Sequence, residues 1–364
     1  MKIKNIIDCL EELAPLYLQE SYDNSGLIVG SEESKISSVL ISIDCTEEVL
    51  NEAISNKCNL IITHHPIVFS EIKKLSGNSY VERILIKAIK NDIAIYALHT
   101  NLDNIFNGVN IAIANKIELN NIKILRPKKD VLRQLVVYCP YKSANSLKEA
   151  LFDAGAGAIG DYTRCSFSSS GKGTFKAGKN TSPYVGKKEE LHTEEEEKIE
   201  VVYPKYKEKD IVNAMYLNHP YEEIAFQIYL IDNVYEKVGS GMLGSLPNKQ
   251  NSKIFLDSLK DIFSVKMIRC SSIIKEEIQK IAICGGSGSF LIEDAKKAGA
   301  DMFITSDIKY HQFFDAGDKM ILVDIGHYES EQFTKDLIFD LLSKKFTNFA
   351  ILLSKVNTNP INYL

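Results

Sequence analysis

No apolar run in this chain approaches the roughly 18 residues that a membrane-spanning helix needs, so the sequence offers no candidate span. Cysteine is scarce and shows no pairing pattern. The seven residues (Cys9, Cys45, Cys58, Cys139, Cys165, Cys270 and Cys284) are odd in number and include no C-x-x-C. A disulfide framework is therefore not indicated, and a reducing cytosol fits better than secretion. Neither sign of charge dominates: the net charge is −5, which leaves no electrostatic footprint for nucleic acid. An anionic small molecule is still admissible, because bound cations would reverse the local field. Solenoid-type repeats are absent, and the Gly285–Ser289 stretch has neither P-loop nor G-x-G-x-x-G spacing. The amino terminus, MKIKNIIDCLEEL, reads as an acidic amphipathic helix and not as a signal peptide, so a cytoplasmic protein is expected.

What is present suits two domains. The chain has 364 residues, 45% of them apolar, enough for sizeable cores. Up to about residue 125, strand and helix signals alternate: a strand at Val39–Asp44, a helix from the N-cap candidate Thr46, strands at Leu60–Thr63 and Ile93–Leu98, and a helix at Ser79–Lys90 between them. The rhythm resumes late, with strands at Gln279–Cys284, Asp301–Thr305, Lys319–Ile325 and Phe349–Ser354. The helices there are expected at Ser289–Ala298, Ile308–Ala316 and Tyr328–Leu342. Such alternation implies mainly parallel sheets covered by helices. The expected fold is α/β, with one discontinuous core domain made of 1–127 and 236–364.

Between these halves, 128–235 has a different texture. Strands are expected at Leu132–Cys139, Asp161–Ser168, Lys198–Tyr203 and Glu222–Ile231, with helices at Ser143–Ala154 and Glu208–Leu217. The order strand-helix-strand-strand-helix-strand indicates a ferredoxin-like α+β insert. SSSGKGTF reads as a hairpin, and the acidic run Glu194–Glu197 as its solvated arm.

Histidine carries the chemistry. Of only seven in the chain, His64, His65, His99 and His327 fall in short clusters after expected buried strands, beside the carboxylates Asp103 and Glu331. In an open α/β sheet, ligands gather beyond the carboxyl ends of the strands. Adjacent side chains diverge, so His64 and His65 would each face one ion of a pair about 3.5–4 Å apart. Glu331, four residues after His327, shares a helix face with it and has two oxygens with which to bridge. The spacing suggests one metal on His65, Asp103 and Glu331, and another on His64, His327 and Glu331, with positions left open for water. His99 fits either a partner that orients Asp103 or a proton shuttle. Asp307 and His311 either line the same cleft or sit at the surface. The Gly285–Ser289 loop suits a phosphate or simply a tight turn. Mixed nitrogen and oxygen donors without cysteine suit zinc, iron or manganese.

The motifs ITHHP, HTNLD, CGGSGS, TSDIKYH and DIGHYESE, in that order and with YDNSGLIVG ahead of them, resemble those of the Nif-three-like dinuclear metal-centre family, also known as GTP cyclohydrolase I type 2. The likeness covers nearly the whole chain. It implies two divalent metal ions per subunit on His64, His65, Asp103, His327 and Glu331, an insert similar to PII and CutA proteins, and a toroidal homohexamer. It also implies hydrolysis of a purine nucleotide or a related small molecule, with His99 and Asp307 as candidates for proton transfer. A metal-binding regulatory or metal-handling protein without turnover is the rival reading. Tyr22 stands where the family often has Trp, and Ser306 where it often has Gly. The first is expected to affect packing only; the second leaves the role of Asp307 open.

Overall fold

The computed structural model describes residues 1–363, and the chain forms two compact units, Met1–Pro127 with Lys237–Leu364 and Lys128–Glu236.

The first unit contains two sheets. In one, the order is Gly26–Val29, Ala94–Ala97, Leu60–Thr63, Ser38–Ser42 and Ala350–Leu353. The last four run parallel, and only Gly26–Val29 is antiparallel. Strands 38–42, 60–63 and 94–97 are buried along their whole length, which explains why they read as continuous Ile, Leu, Val and Ala runs without polar alternation. The covering helices are locally specified. Thr46 caps Glu47–Ser55 by accepting from the Val49 amide at 3.3 Å, and Ser79 caps Tyr80–Lys90 by accepting from Glu82 at 3.2 Å. Leu40, Ile61 and Ile95 on the sheet pack with Val49, Leu50 and Ile84 on these helices.

The other sheet has the order Arg269–Cys270, Ile321–Asp324, Met302–Ser306, Glu277–Ser287, Tyr235–Asn251 and Asn120–Lys128. Its central three strands are parallel. Their carboxyl ends deliver Gly285–Ser289, Asp307 and His327, just as those of the first sheet deliver Asp44, His64, His65 and His99.

Three helical expectations are corrected here. Ser289–Ala298 divides into a 3-10 turn, Ser289–Leu291, and a helix, Ile292–Lys297. Ile308–Ala316 is 3-10 and begins at Tyr310, because Asp307 has φ 56° and the Ile308 amide is donated to Asp324 Oδ2 at 3.0 Å. Tyr328–Leu342 is two helices, His327–Glu331 and Thr334–Lys345. They part at Gln332 and Phe333, where the Gln332 side chain donates its Nε2 to the Phe263 carbonyl, 2.8 Å away.

The second unit is a four-stranded antiparallel sheet in the order Phe167–Lys176, Leu191–Pro204, Leu132–Pro140, Phe226–Leu230. The helices Tyr141–Asp153 and Glu208–Asn218 supply Leu147, Leu151, Ile211 and Met215 to a core completed by Leu135, Val137, Ile199 and Val201. The strand expected at Asp161–Ser168 begins only at Phe167 and runs on to Lys176. SSSGKGTF is therefore strand and not hairpin turn, since pairing with Leu191–Pro204 overrides the low strand preference of Ser and Gly. The acidic run also lies within a strand, where Glu197 is buried on Lys148 at 3.0 Å and Glu196 accepts from the Tyr221 hydroxyl at 3.0 Å.

Candidate metal centre

Register in the first sheet decides which side chains become neighbours. Ser42 pairs with Thr63, and Thr63 with Ala97. Two residues further along, Asp44, His65 and His99 leave three adjacent strand ends. His64 turns the other way and is fully buried. Its Nδ1 lies 2.7 Å from the Leu98 carbonyl, which can only accept. The ring proton is thereby fixed on Nδ1, and Nε2 presents a lone pair.

The other rings repeat this device. His65 Nδ1 lies 2.7 Å from Asp44 Oδ1, His327 Nδ1 2.6 Å from Asp307 Oδ2, and His99 Nδ1 2.7 Å from Asp23 Oδ1. Asp23 is itself held by the Thr100 amide at 3.0 Å and the Ser25 hydroxyl at 3.0 Å. At every histidine of the cluster Nδ1 is committed to an acceptor, which leaves Nε2 as the available donor to a cation.

Glu331 stands at the centre and is buried. Its Oε2 lies 2.9 Å from His65 Nε2 and 3.1 Å from His327 Nε2, while His65 and His327 approach within 3.2 Å through their Nε2 atoms. Its Oε1 lies 3.6 Å from His64 Nε2, which in turn is 3.7 Å from Asp103 Oδ1. These last separations are too long for hydrogen bonds. Both His64 Nε2 and Asp103 Oδ1 are buried without a hydrogen-bond partner, a costly state for polar atoms. Two donors each about 2.0–2.2 Å from a shared cation span such a gap, so the residues fit a metal ion. The donor atoms of His64, His65 and Glu331 all lie within 4.8 Å of one another.

The distances group the candidate ligands differently. Sequence spacing put His65 with Asp103 and His64 with His327; in space His65 neighbours His327, and His64 neighbours Asp103. His64 and His65 turn to different neighbours, and the neighbour of each depends on where the second sheet places the helix His327–Glu331.

The charges are arranged for a cation. Burial opposes charge on His65, yet Asp44 and Glu331 hold its pKa up to about 9; against the same burial, Asp307 and Glu331 hold His327 up to about 11. Burial outweighs the pull of Glu331 at His64 and pushes it down, keeping that ring neutral. Burial also works against the Glu331 charge, but the imidazoles of His327 and His65, both bonded to its Oε2, keep its carboxyl well below the usual range. Asp103 is pushed well above that range by burial and by the neighbouring Glu331 charge. A cation would relieve the opposition between these two carboxylates.

The remaining candidates separate. His99 packs edge-on to His64 and His65 with centroids 5.5 Å away, so it joins the cluster, although its ring bonds Asp23 and not Asp103. Asp307 is engaged by His327. His311 lies against Tyr310 and Phe314 and is not among the residues lining the cleft beside the cluster. In the Gly-rich loop the Gly285 amide is donated to Asn110 Oδ1 at 2.9 Å and the Gly286 amide to Ser330 Oγ at 3.0 Å. These two amides are thus spent within the protein instead of facing a phosphate. A Cβ on Gly286 would lie 2.2 Å from Glu331 Oε1, so the bare backbone is what lets Glu331 reach the centre. Ser306 donates to the Gly286 carbonyl at 2.6 Å and braces that loop.

Sequence reasoning missed Asp23, Asp44 and the Leu98 carbonyl. Asp44 ended the expected strand VLISID and could have been found from parallel register with His65. A carbonyl has no side-chain signal. The centre opens on a cleft of about 940 Å³, whose walls include Tyr22, Phe69, Tyr80, Phe290 and Arg126. Tyr22 is 69% exposed there, so it lines the cleft and does not pack into a core. Among the described residues no helix is long and apolar enough to cross a membrane.

A family model described as Duf34/NIF3 (NGG1p interacting factor 3) matches residues 1–360. A relative from Bacillus subtilis (strain 168), named GTP cyclohydrolase 1 type 2 homolog, is 37% identical over 99% of this chain and 98% of its own. One of the same name from Halalkalibacterium halodurans is 36% identical over the whole of both chains. The solved structure of a Bacillus cereus protein related to NIF3 superposes with a TM-score of 0.87 at 35% identity, covering 100% of this chain and 99% of that one.

Proposed function

Because this chain belongs to the Duf34/NIF3 family, we propose that it is a metal-dependent hydrolase that holds two divalent cations and acts on a purine nucleotide or a related phosphorylated compound. The observation that carries this reading is the pair of buried, partnerless atoms, His64 Nε2 and Asp103 Oδ1, facing Glu331. One ion would be held by His64, Asp103 and Glu331 Oε1, the other by His65, His327 and Glu331 Oε2. Zinc, iron and manganese all suit these donors. When bound, such ions make water a nucleophile at neutral pH and stabilise developing negative charge.

The chain's own groups do the rest. Leu98, Asp44 and Asp307 fix the ligand rings, so that little reorganisation accompanies loading. His99, with Nδ1 committed to Asp23, keeps Nε2 for proton transfer at the cleft wall. Tyr22, Phe69 and Tyr80 give the wall aromatic rings for a planar base, and Arg126, which lies over the Phe290 ring and is 3.5 Å from Asp294, brings a cation to the same wall. That wall, together with the name its relatives carry, supports hydrolysis at the guanine ring of GTP. A toroidal homohexamer belongs to the same reading, and light scattering tests it against six times the chain mass of 40.9 kDa.

The test is to reload purified protein with manganese, iron or zinc and supply GTP and a panel of phosphoesters. Turnover abolished by Glu331→Ala supports an enzyme. A second reading, a metal-binding regulatory or metal-handling protein, is favoured by one observation: Asp307 and the Nδ1 of His99 are both engaged in holding neighbours. Tight metal uptake with no turnover under any loading would decide for it.

A further inference from the structure

The carboxyl-terminal segment is fastened to the metal centre. It leaves the strand Ala350–Leu353, which lies parallel beside Ser38–Ser42, and so emerges at the same sheet end as Asp44. The Ser354 hydroxyl and the Lys355 amide are donated to the two oxygens of Glu52, the amide at 3.0 Å. Thr358, 9% exposed, then donates its hydroxyl to Asp44 Oδ2 at 2.6 Å. Asn359 Nδ2 donates to Glu329 Oε1 at 2.9 Å, on the helix that carries His327 and Glu331. Thr358 and Pro360 also form part of the cleft wall.

Asp44 is thus gripped on both oxygens, by His65 through Oδ1 and by Thr358 through Oδ2. A carboxylate bonded through one oxygen alone keeps rotational freedom about its last bond, and the ring it holds would share that freedom. We infer that Thr358 is a positioning residue of the metal centre, which holds Asp44 and through it aims His65 Nε2 at the cation. This rests on the metal-binding reading of the site. It adds the carboxyl-terminal segment, more than 250 residues beyond His65, as a structural part of that site.

Cobalt(II) serves as the probe, because its absorption spectrum reports its ligand geometry and its affinity can be measured against a chelator. In the full chain, Thr358→Val keeps the side-chain shape and removes the hydroxyl. It should weaken cobalt binding about 10–100-fold, the usual cost of losing an outer partner of a ligand, and should change the spectrum. Thr358→Ser should restore both. Asp44→Asn should weaken binding too, and Thr358→Val added to it should then cost little more, since the hydroxyl acts through Asp44. Unchanged affinity and spectrum in Thr358→Val would overturn the inference, as would fully additive losses in the double variant. If Thr358→Val does not fold, the comparison of Thr358→Ser with Thr358→Ala carries the same test: Ser should match the parent and Ala should not. A parent chain that takes up no cobalt would overturn the metal-binding reading itself, and the inference with it.

Discussion

Glu331 Oε2 lies 2.9 Å from His65 Nε2, although the two residues stand 266 positions apart and follow strands of different sheets of one compact unit. That contact joins the exit of an early strand to a short helix near the end of the chain. It is made only when both sheets are in place, so the site is a property of the completed unit and not of either half.

Asp307 is expected to act through His327. Removing it by Asp307→Ala leaves His327 Nδ1 without its partner at 2.6 Å, so metal affinity should fall about 10–100-fold. A chelator competition measures this. If affinity is unchanged and only turnover drops, Asp307 moves protons and does not position a ligand.

Gly286 and Gly317 provide an internal comparison. Both have positive φ, at 60° and 58°, so alanine at either is strained by about 1–2 kcal/mol. At Gly317 a Cβ meets nothing within 4 Å, whereas at Gly286 it would lie 2.2 Å from Glu331 Oε1. Gly286→Ala should therefore unfold in less urea than Gly317→Ala and bind metal more weakly than the parent. Equal stability losses and intact metal affinity would contradict this account of the loop.

Proton release accompanies metal uptake if the rings are charged beforehand. With folded-state values near 9 for His65 and near 11 for His327, both rings carry a proton at pH 7 in the metal-free chain. These values lie above the ordinary value of about 6.5. The stabilisation they provide is therefore complete below about pH 6.5 and is lost as the pH rises through about 9 and then about 11. A cation binds only the neutral ring, so metal affinity should rise from pH 6 to pH 9. Calorimetry in buffers of different ionisation enthalpy should show protons released at pH 7; none released would contradict the assignment.

Much of the candidate centre was legible because the side chains gathered there are scarce ones set at strand ends. His64, His65, Asp103, His327 and Glu331 could be picked out on that ground alone. What was not legible depends on register and on chain paths. Asp44 meets His65 through parallel pairing of neighbouring strands, and Asp23 reaches His99 from 76 positions away. The neighbours of His64 and His65 differ from the expected grouping because alternation along a strand says that two side chains diverge, not what each will meet. Element boundaries failed where a tertiary bond took a backbone amide, as Asp324 takes that of Ile308, or where pairing recruited a poor strand former, as at Phe167–Lys176.

The central claim is that Glu331 lies between two cations. Crystals of manganese- or zinc-loaded protein, measured at the metal absorption edge, test it directly. The account predicts two anomalous peaks about 3.5–4 Å apart, one beside His64 and Asp103 and the other beside His65 and His327, with the Glu331 carboxylate between them. A map with no peak there, or with a single peak away from Glu331, would contradict it.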